Sequence, residues 1–289
     1  MNKNNTKRKN SLKVEIEQSV QERINKYITQ EDAVINYLKQ NPDAPQQRLK
    51  EDKKYITAEV EKLESILNEV APFIFKIHER IPNVLDQNKL TASYFIFGKM
   101  FQSWQALFLL AREGFHYEIM ELLRSITESA DLIFFFMRCD DSNPDLKKWF
   151  MGEIVSNDKA RKAIHDFINE EACKTGSVLP VDEMSAGVYG GLSKYTHVSY
   201  GALLDSFNVF SRNFDFERSS GFHYTHKSSL SYAHGTMNNS IIALKYFYQS
   251  VGNNDSCEKL DLILRRIAPE MYDTDRNIQM TRKVIKKYS

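Results

Sequence analysis

Apolar residues recur along most of this chain at intervals of three and four, the period of a helix with one buried face. The most regular run is Ile56, Val60, Leu63, Leu67, Val70, Ile74, Ile77 and Ile81, whose steps alternate between four and three. It predicts a long helix starting near Leu49, either turned to a bundle core or forming a dimerisation seam. Pro72 lies inside the run and is expected to kink or split that helix. Upstream, Val14, Ile16, Val20, Ile24, Ile28, Val34, Ile35 and Leu38 predict a helix over residues 11–40. The segment NPDAPQQR (41–48), with two prolines, separates the two helices. Residues 1–10 are rich in Asn and Lys and are expected to be a disordered tail.

After a turn over residues 81–91, the chain to Arg112 carries Tyr94, Phe95, Phe97, Met100, Phe101, Trp104, Leu107, Phe108 and Leu110. Apolar groups then lie on nearly all sides, so this helix is expected to be central. Gly114 stops it, and a helix over 115–138 follows at once as an antiparallel neighbour. That second helix sets Glu121, Arg124, Glu128 and Asp131 in one ridge, and the same face continues into Leu132, Phe135 and Phe136. A face that passes from charged to aromatic implies a ridge turned into protein, its charges paired with each other or with another helix. DDSNP (140–144) breaks the chain again. Shorter helices are expected over 146–156 and 159–172, a loose one over 183–192, a clear one over 228–250 with a polar break at Asn238, Asn239 and Ser240, and a last one over 257–267. Phe214, Asp215, Phe216, Glu217, Arg218, Phe222 and Tyr224 suggest a short hairpin. The expected fold class is all-α, a multi-helix bundle with an N-terminal helical extension. Its organisation reads as a tail (1–10), an N-terminal helix and linker (11–48) and a bundle domain (49–289) whose core covers about 90–252.

Composition agrees with that reading. The 289 residues are ample to bury a core, and with Gly 11 and Pro 7 the turn residues are too few for an all-β fold. A net charge of +1 gives no global field for nucleic acid or membrane, so any such binding needs a local patch. Cys139, Cys173 and Cys257 are odd in number and far apart, which fits a reducing compartment better than a disulfide framework. The basic, polar start MNKNNTKRKN does not read as a signal peptide. The longest apolar runs are about six residues against the roughly twenty of a membrane span. A soluble, cytoplasmic protein without membrane partners is expected.

Three constellations carry candidate chemistry. Arg124 and Glu128, flanked by Glu121, form either a structural salt-bridge ladder or a polar cluster in a bundle cleft. His197 lies in LSKYTHVSY (192–200) beside Ser193, Lys194, Tyr195, Thr196 and Ser199. It is either a proton-transfer group or a hydrogen-bonded core histidine. His223, His226 and His234 have a spacing open to metal, but no carboxylate or cysteine falls at a matching interval, and no metal or other cofactor is expected. The basic tail with Arg276, Arg282, Lys283, Lys286 and Lys287 reads as a phosphate contact or a solvated helix end. There is no Walker loop, GxGxxG, HExxH or GxSxG.

Two motifs, ELLRSITESADL (121–132) with its R-S-x-x-E core and LSKYTHVS (192–199) with its L-S-x-Y-x-H core, together resemble a family of uncharacterised bacterial helical proteins. That family is distantly similar to the HEPN superfamily: dimeric helical bundles of toxins, abortive-infection proteins and CRISPR-associated ribonucleases. The resemblance covers about residues 90–200. It implies a HEPN-like core, a homodimer, RNA as partner and metal-independent RNA cleavage. His197 would then be the acid/base, Arg124 and Lys194 phosphate contacts, Glu128 and Glu121 the groups orienting Arg124, and Ser193 and Tyr195 supports. HEPN ribonucleases use an R-x(4–6)-H pair, and the chain departs from it. Gly191, Leu192 and Ser193 stand where the arginine is expected, and Arg161 to His165 has only three residues between. The alternative is the same fold without catalysis: a dimeric interaction or ligand-sensing module with an Arg/Glu/His polar core.

Overall fold

The computed structural model describes residues 40, 44–81, 83–113, 115–174, 192, 207–208, 213–214 and 225–269. Among these it forms seven α-helices: α1 (Ala44–Phe75), α2 (Lys89–Glu113), α3 (His116–Arg138), α4 (Pro144–Phe150), α5 (Asn157–Lys174), α6 (Thr225–Ser250) and α7 (Asn254–Ile267). A 3-10 turn, Lys76–Arg80, continues α1, and two-residue strands Phe207–Asn208 and Asn213–Phe214 pair antiparallel. The fold is all-α, a multi-helix bundle. The helices expected over 11–40 and 183–192 and the 214–224 hairpin lie, in whole or nearly so, outside the described residues.

Helix α1 starts at Ala44, ahead of the expected Leu49, so Pro45 falls in its first turn. A proline is tolerated there because the first amides of a helix have no intrahelical acceptor to lose. Every residue of the four-three seam, from Ile56 to Ile81, is buried. The seam packs on α2 and α6 of the same chain, which settles it as a core face and not a dimerisation seam. Pro72 neither splits nor ends the helix, which runs on to Phe75 before tightening into the 3-10 turn. Pro72 is exposed, so its ring disturbs no packing. Where a helix changes from i−4 to i−3 pairing a carbonyl loses its amide. At that point the Tyr248 hydroxyl donates to the Phe73 carbonyl at 2.6 Å.

Contacts along the helices give their directions. Arg112 pairs with Glu64, and the Phe75 and Phe101 rings lie 5.3 Å apart, so α2 runs antiparallel to α1. Asn88 Oδ1 caps the start of α2, accepting from the amides of Leu90 and Thr91. The Lys89 amide donates to Asp141 Oδ1 and its Nζ to the Cys139 carbonyl, which pins that start to the end of α3, antiparallel again. Helix α6 runs parallel to α1, for His234 meets Glu59 at one end and Tyr248 meets Phe73 at the other. It is parallel to α3 as well: the hydroxyls of Thr127 and Thr236 lie 3.5 Å apart, and the Phe134 and Tyr246 rings 4.9 Å. The four helices α1, α2, α3 and α6 thus close a ring in which α2 alone runs the other way. Across its middle Trp104 Nε1 donates to Ser240 Oγ at 3.3 Å, and the Phe97 and Phe247 rings meet edge to face. Ser240, read from sequence as a polar break, is a buried partner for this indole.

Parallel neighbours cannot be joined by a tight turn, so residues 139–224 form a crossover from α3 to α6. It carries α4, capped by Asn143, and α5, which packs on α3. Beyond α6, Gly252 at φ 71° turns the chain into α7, and Arg266 of α7 pairs with Glu69 of α1. The most enclosed helix is α3, not α2 as expected. No residue of α3 between positions 122 and 137 is exposed, whereas one edge of α2 faces solvent. Among the described residues no helix is long and apolar enough to cross a membrane.

The seam's role fixes a stability prediction. Leu63 is fully buried, and Leu63→Ala should destabilise by about 2–5 kcal/mol. Urea unfolding measures it, and a loss below about 1 kcal/mol would mean the seam is not core.

Candidate functional site

The charged ridge on α3 is where sequence and structure meet. Arg124 Nε donates to Glu128 Oε1 at 2.8 Å, with both side chains only 21% and 23% exposed. The expectation that this ridge turns into protein holds for both residues. Glu121, one turn earlier, is exposed and lies at the mouth of the ridge. Arg124 Nη1 is shielded from solvent and has no hydrogen-bond partner among the described residues.

Farther along, burial pushes the Asp131 carboxyl from 3.8 up to about 7; Arg161 on α5 pulls the other way, and Glu128 adds to the rise. Arg161 also pairs with Asp158 at 3.3 Å. The α3–α5 contact therefore holds alternating charges: Glu121, Arg124, Glu128, Asp131 and, from α5, Arg161. Three carboxylates face two guanidiniums, so a protonated Asp131 brings the group to neutrality. The sequence pointed to Glu121, Arg124, Glu128 and Asp131 by their spacing. It gave no sign of Arg161, which reaches the ridge through the crossover.

The second motif is reached only at its head. Leu192 is fully buried in the same core. Ser193, Lys194, Tyr195 and His197 lie outside the described residues, so their expected meeting with Arg124 has no geometry to report.

Of the histidine trio, His223 lies outside the described residues, as does the side chain of His226. His234 Nε2 is 2.9 Å from Glu59 Oε2, which ties α6 to α1. Burial opposes ionisation of Glu59, but hydrogen bonds from Lys62 and His234 outweigh it and hold the carboxyl below its usual range. No group of three or more metal-binding side chains occurs among the described residues. Cys139 and Cys257 are free, half-buried thiols. Burial raises the pKa of both, so neither is poised as a thiolate nucleophile. A shallow groove of about 490 Å³ between α1 and α7, lined by Glu69, Phe73, Lys259, Leu262, Ile263 and Arg266, holds none of the expected site residues.

No protein-family model, no curated protein and no solved structure matches the chain.

Asp131 makes the ridge testable by pH. A carboxyl whose pKa rises on folding keeps its proton in the native state while the unfolded chain releases it, so stability falls as pH rises from about 4 to 7. Asp131→Asn removes that dependence. The variant should gain on the wild type across this window, at most about 1.4 kcal/mol per pH unit. Urea unfolding at several pH values checks it; a wild-type-to-variant difference that stays flat would contradict a titrating Asp131.

Proposed function

We propose that the protein is a HEPN-like helical module of the bacterial defence type, a cytoplasmic homodimer, in which the Arg124 cluster is a structural polar core and not an RNA-cleaving centre. The observation that carries this is the commitment of Arg124 to Glu128 at 2.8 Å with Asp131 farther along the same ridge. A phosphate arriving at this guanidinium would meet carboxylates beside it, and like charge disfavours such an approach. The missing arginine ahead of His197 points the same way. In this module the cluster docks α5, and with it the crossover, onto the bundle.

A second reading, metal-independent RNA cleavage, draws on the unbonded Nη1 of Arg124, a donor available to a phosphate oxygen. His197 would move the proton at the 2′-hydroxyl, and Lys194 would supply a second cation. The two readings part in one experiment. Wild type, His197→Ala and Arg124→Ala are expressed to score growth arrest, and the purified chains are incubated with RNA in the presence of EDTA. The structural reading predicts no cleavage by any of the three and a lowered melting temperature for Arg124→Ala. Cleavage by wild type that vanishes in His197→Ala, with melting unchanged, would overturn it and establish the nuclease.

A further inference from the structure

The outward edge of α2 is free of the rest of the described chain. Phe95 is 49% exposed and Leu109 64%, with Lys99, Gln102, Gln105 and Glu113 exposed between and beyond them and Gly98 and Ala106 half-buried. Two large apolar side chains left open on one helix edge call for a partner, because each would stabilise by leaving water. The order of residues is symmetric about Gln102: Phe95 and Leu109 stand seven positions either side, and Gly98 and Ala106 four.

We infer that this edge pairs with the same edge of a second copy of the chain, two α2 helices crossing antiparallel about a two-fold axis at Gln102. An isologous contact places each residue opposite its mirror position. Phe95 then packs on the partner's Leu109. Gly98 lies against the partner's Ala106, and small residues at both places let the helices approach closely. A methyl group added at Gly98 would meet nothing within 4 Å in the free chain, so the surface there is open. At the axis, the Gln102 amide holds both a donor and an acceptor and can bond its own copy. Lys99 comes opposite Gln105, and Glu113 opposite Thr91, so no like charges face each other. The α1 seam, the other candidate for self-association, is used up by the core.

This surface deepens the dimeric reading above and rests on it. A contact limited to one helix edge buries less than the about 800 Å² per partner of a standard interface, so association on the order of 10 µM is expected. Sedimentation velocity of the full chain, over a concentration range spanning that value, compares wild type with Phe95→Glu and Leu109→Glu. Expected is a reversible wild-type dimer that either substitution weakens at least tenfold without lowering the melting temperature. A second measurement does not depend on those variants. In a chain with Cys139, Cys173 and Cys257 replaced by Ser, Gln102→Cys should oxidise to a disulfide dimer. Glu113→Cys should not, because its copy lies about 33 Å away along the helix axis. A dimer insensitive to both glutamates and not cross-linked at 102 would overturn this surface and leave the dimeric reading intact. A wild-type chain that stays monomeric throughout would overturn both.

Discussion

Helix α3 packs against α2, α6 and α5, and over four turns it presents no exposed side chain, yet three of its positions there are charged. A charge shut away from water is costly unless a partner or a proton neutralises it. Each of the three has such a remedy: Arg124 and Glu128 bind one another, and Asp131 has Arg161 across the helix interface and a carboxyl ready to hold its proton near neutral pH. The remedy depends on α5 being docked. In this way a local problem of charge on one helix becomes a constraint on where the crossover begins.

The direction of α6 adds the second constraint. Because α6 lies parallel to both α1 and α3, the chain must travel back along the bundle between residues 139 and 224 before α6 can start. The stretch that makes this return also supplies Arg161 and the LSKYTHVS motif. Leu192 seats the head of that motif in the core, so clamp and motif are held by the same crossover. The pairs that fix α6, His234 with Glu59 and Tyr248 with Phe73, each span 175 residues of sequence.

That span explains what could and could not be read beforehand. The α1 seam and the α3 ridge were legible because a helix writes its faces into the sequence at steps of three and four. Core burial of Ile56 through Ile81 and the Arg124–Glu128 pair follow from spacing alone. The exposed edge of α2 was not legible, since Phe95 and Leu109 look like core residues until the neighbours are known. Pro72 misled because its cost depends on which way the ring points, which spacing does not settle. His234 was read as a candidate ligand for want of any local mark of Glu59 on another helix. Arg161 escaped for the same reason: its partner is set by the crossover and not by its own helix.

The central claim is that the α3 ridge is a buried polar clamp, and a double-mutant cycle on Arg124 and Glu128 measures it most directly. Unfolding free energies of the wild type, Arg124→Ala, Glu128→Ala and the double variant give the coupling between the two side chains. An exposed pair at this helical spacing couples by about 0.3–0.5 kcal/mol, whereas a clamp withdrawn from solvent should give on the order of 1–2 kcal/mol. A coupling at or below the exposed value would contradict the account and return the ridge to the protein surface.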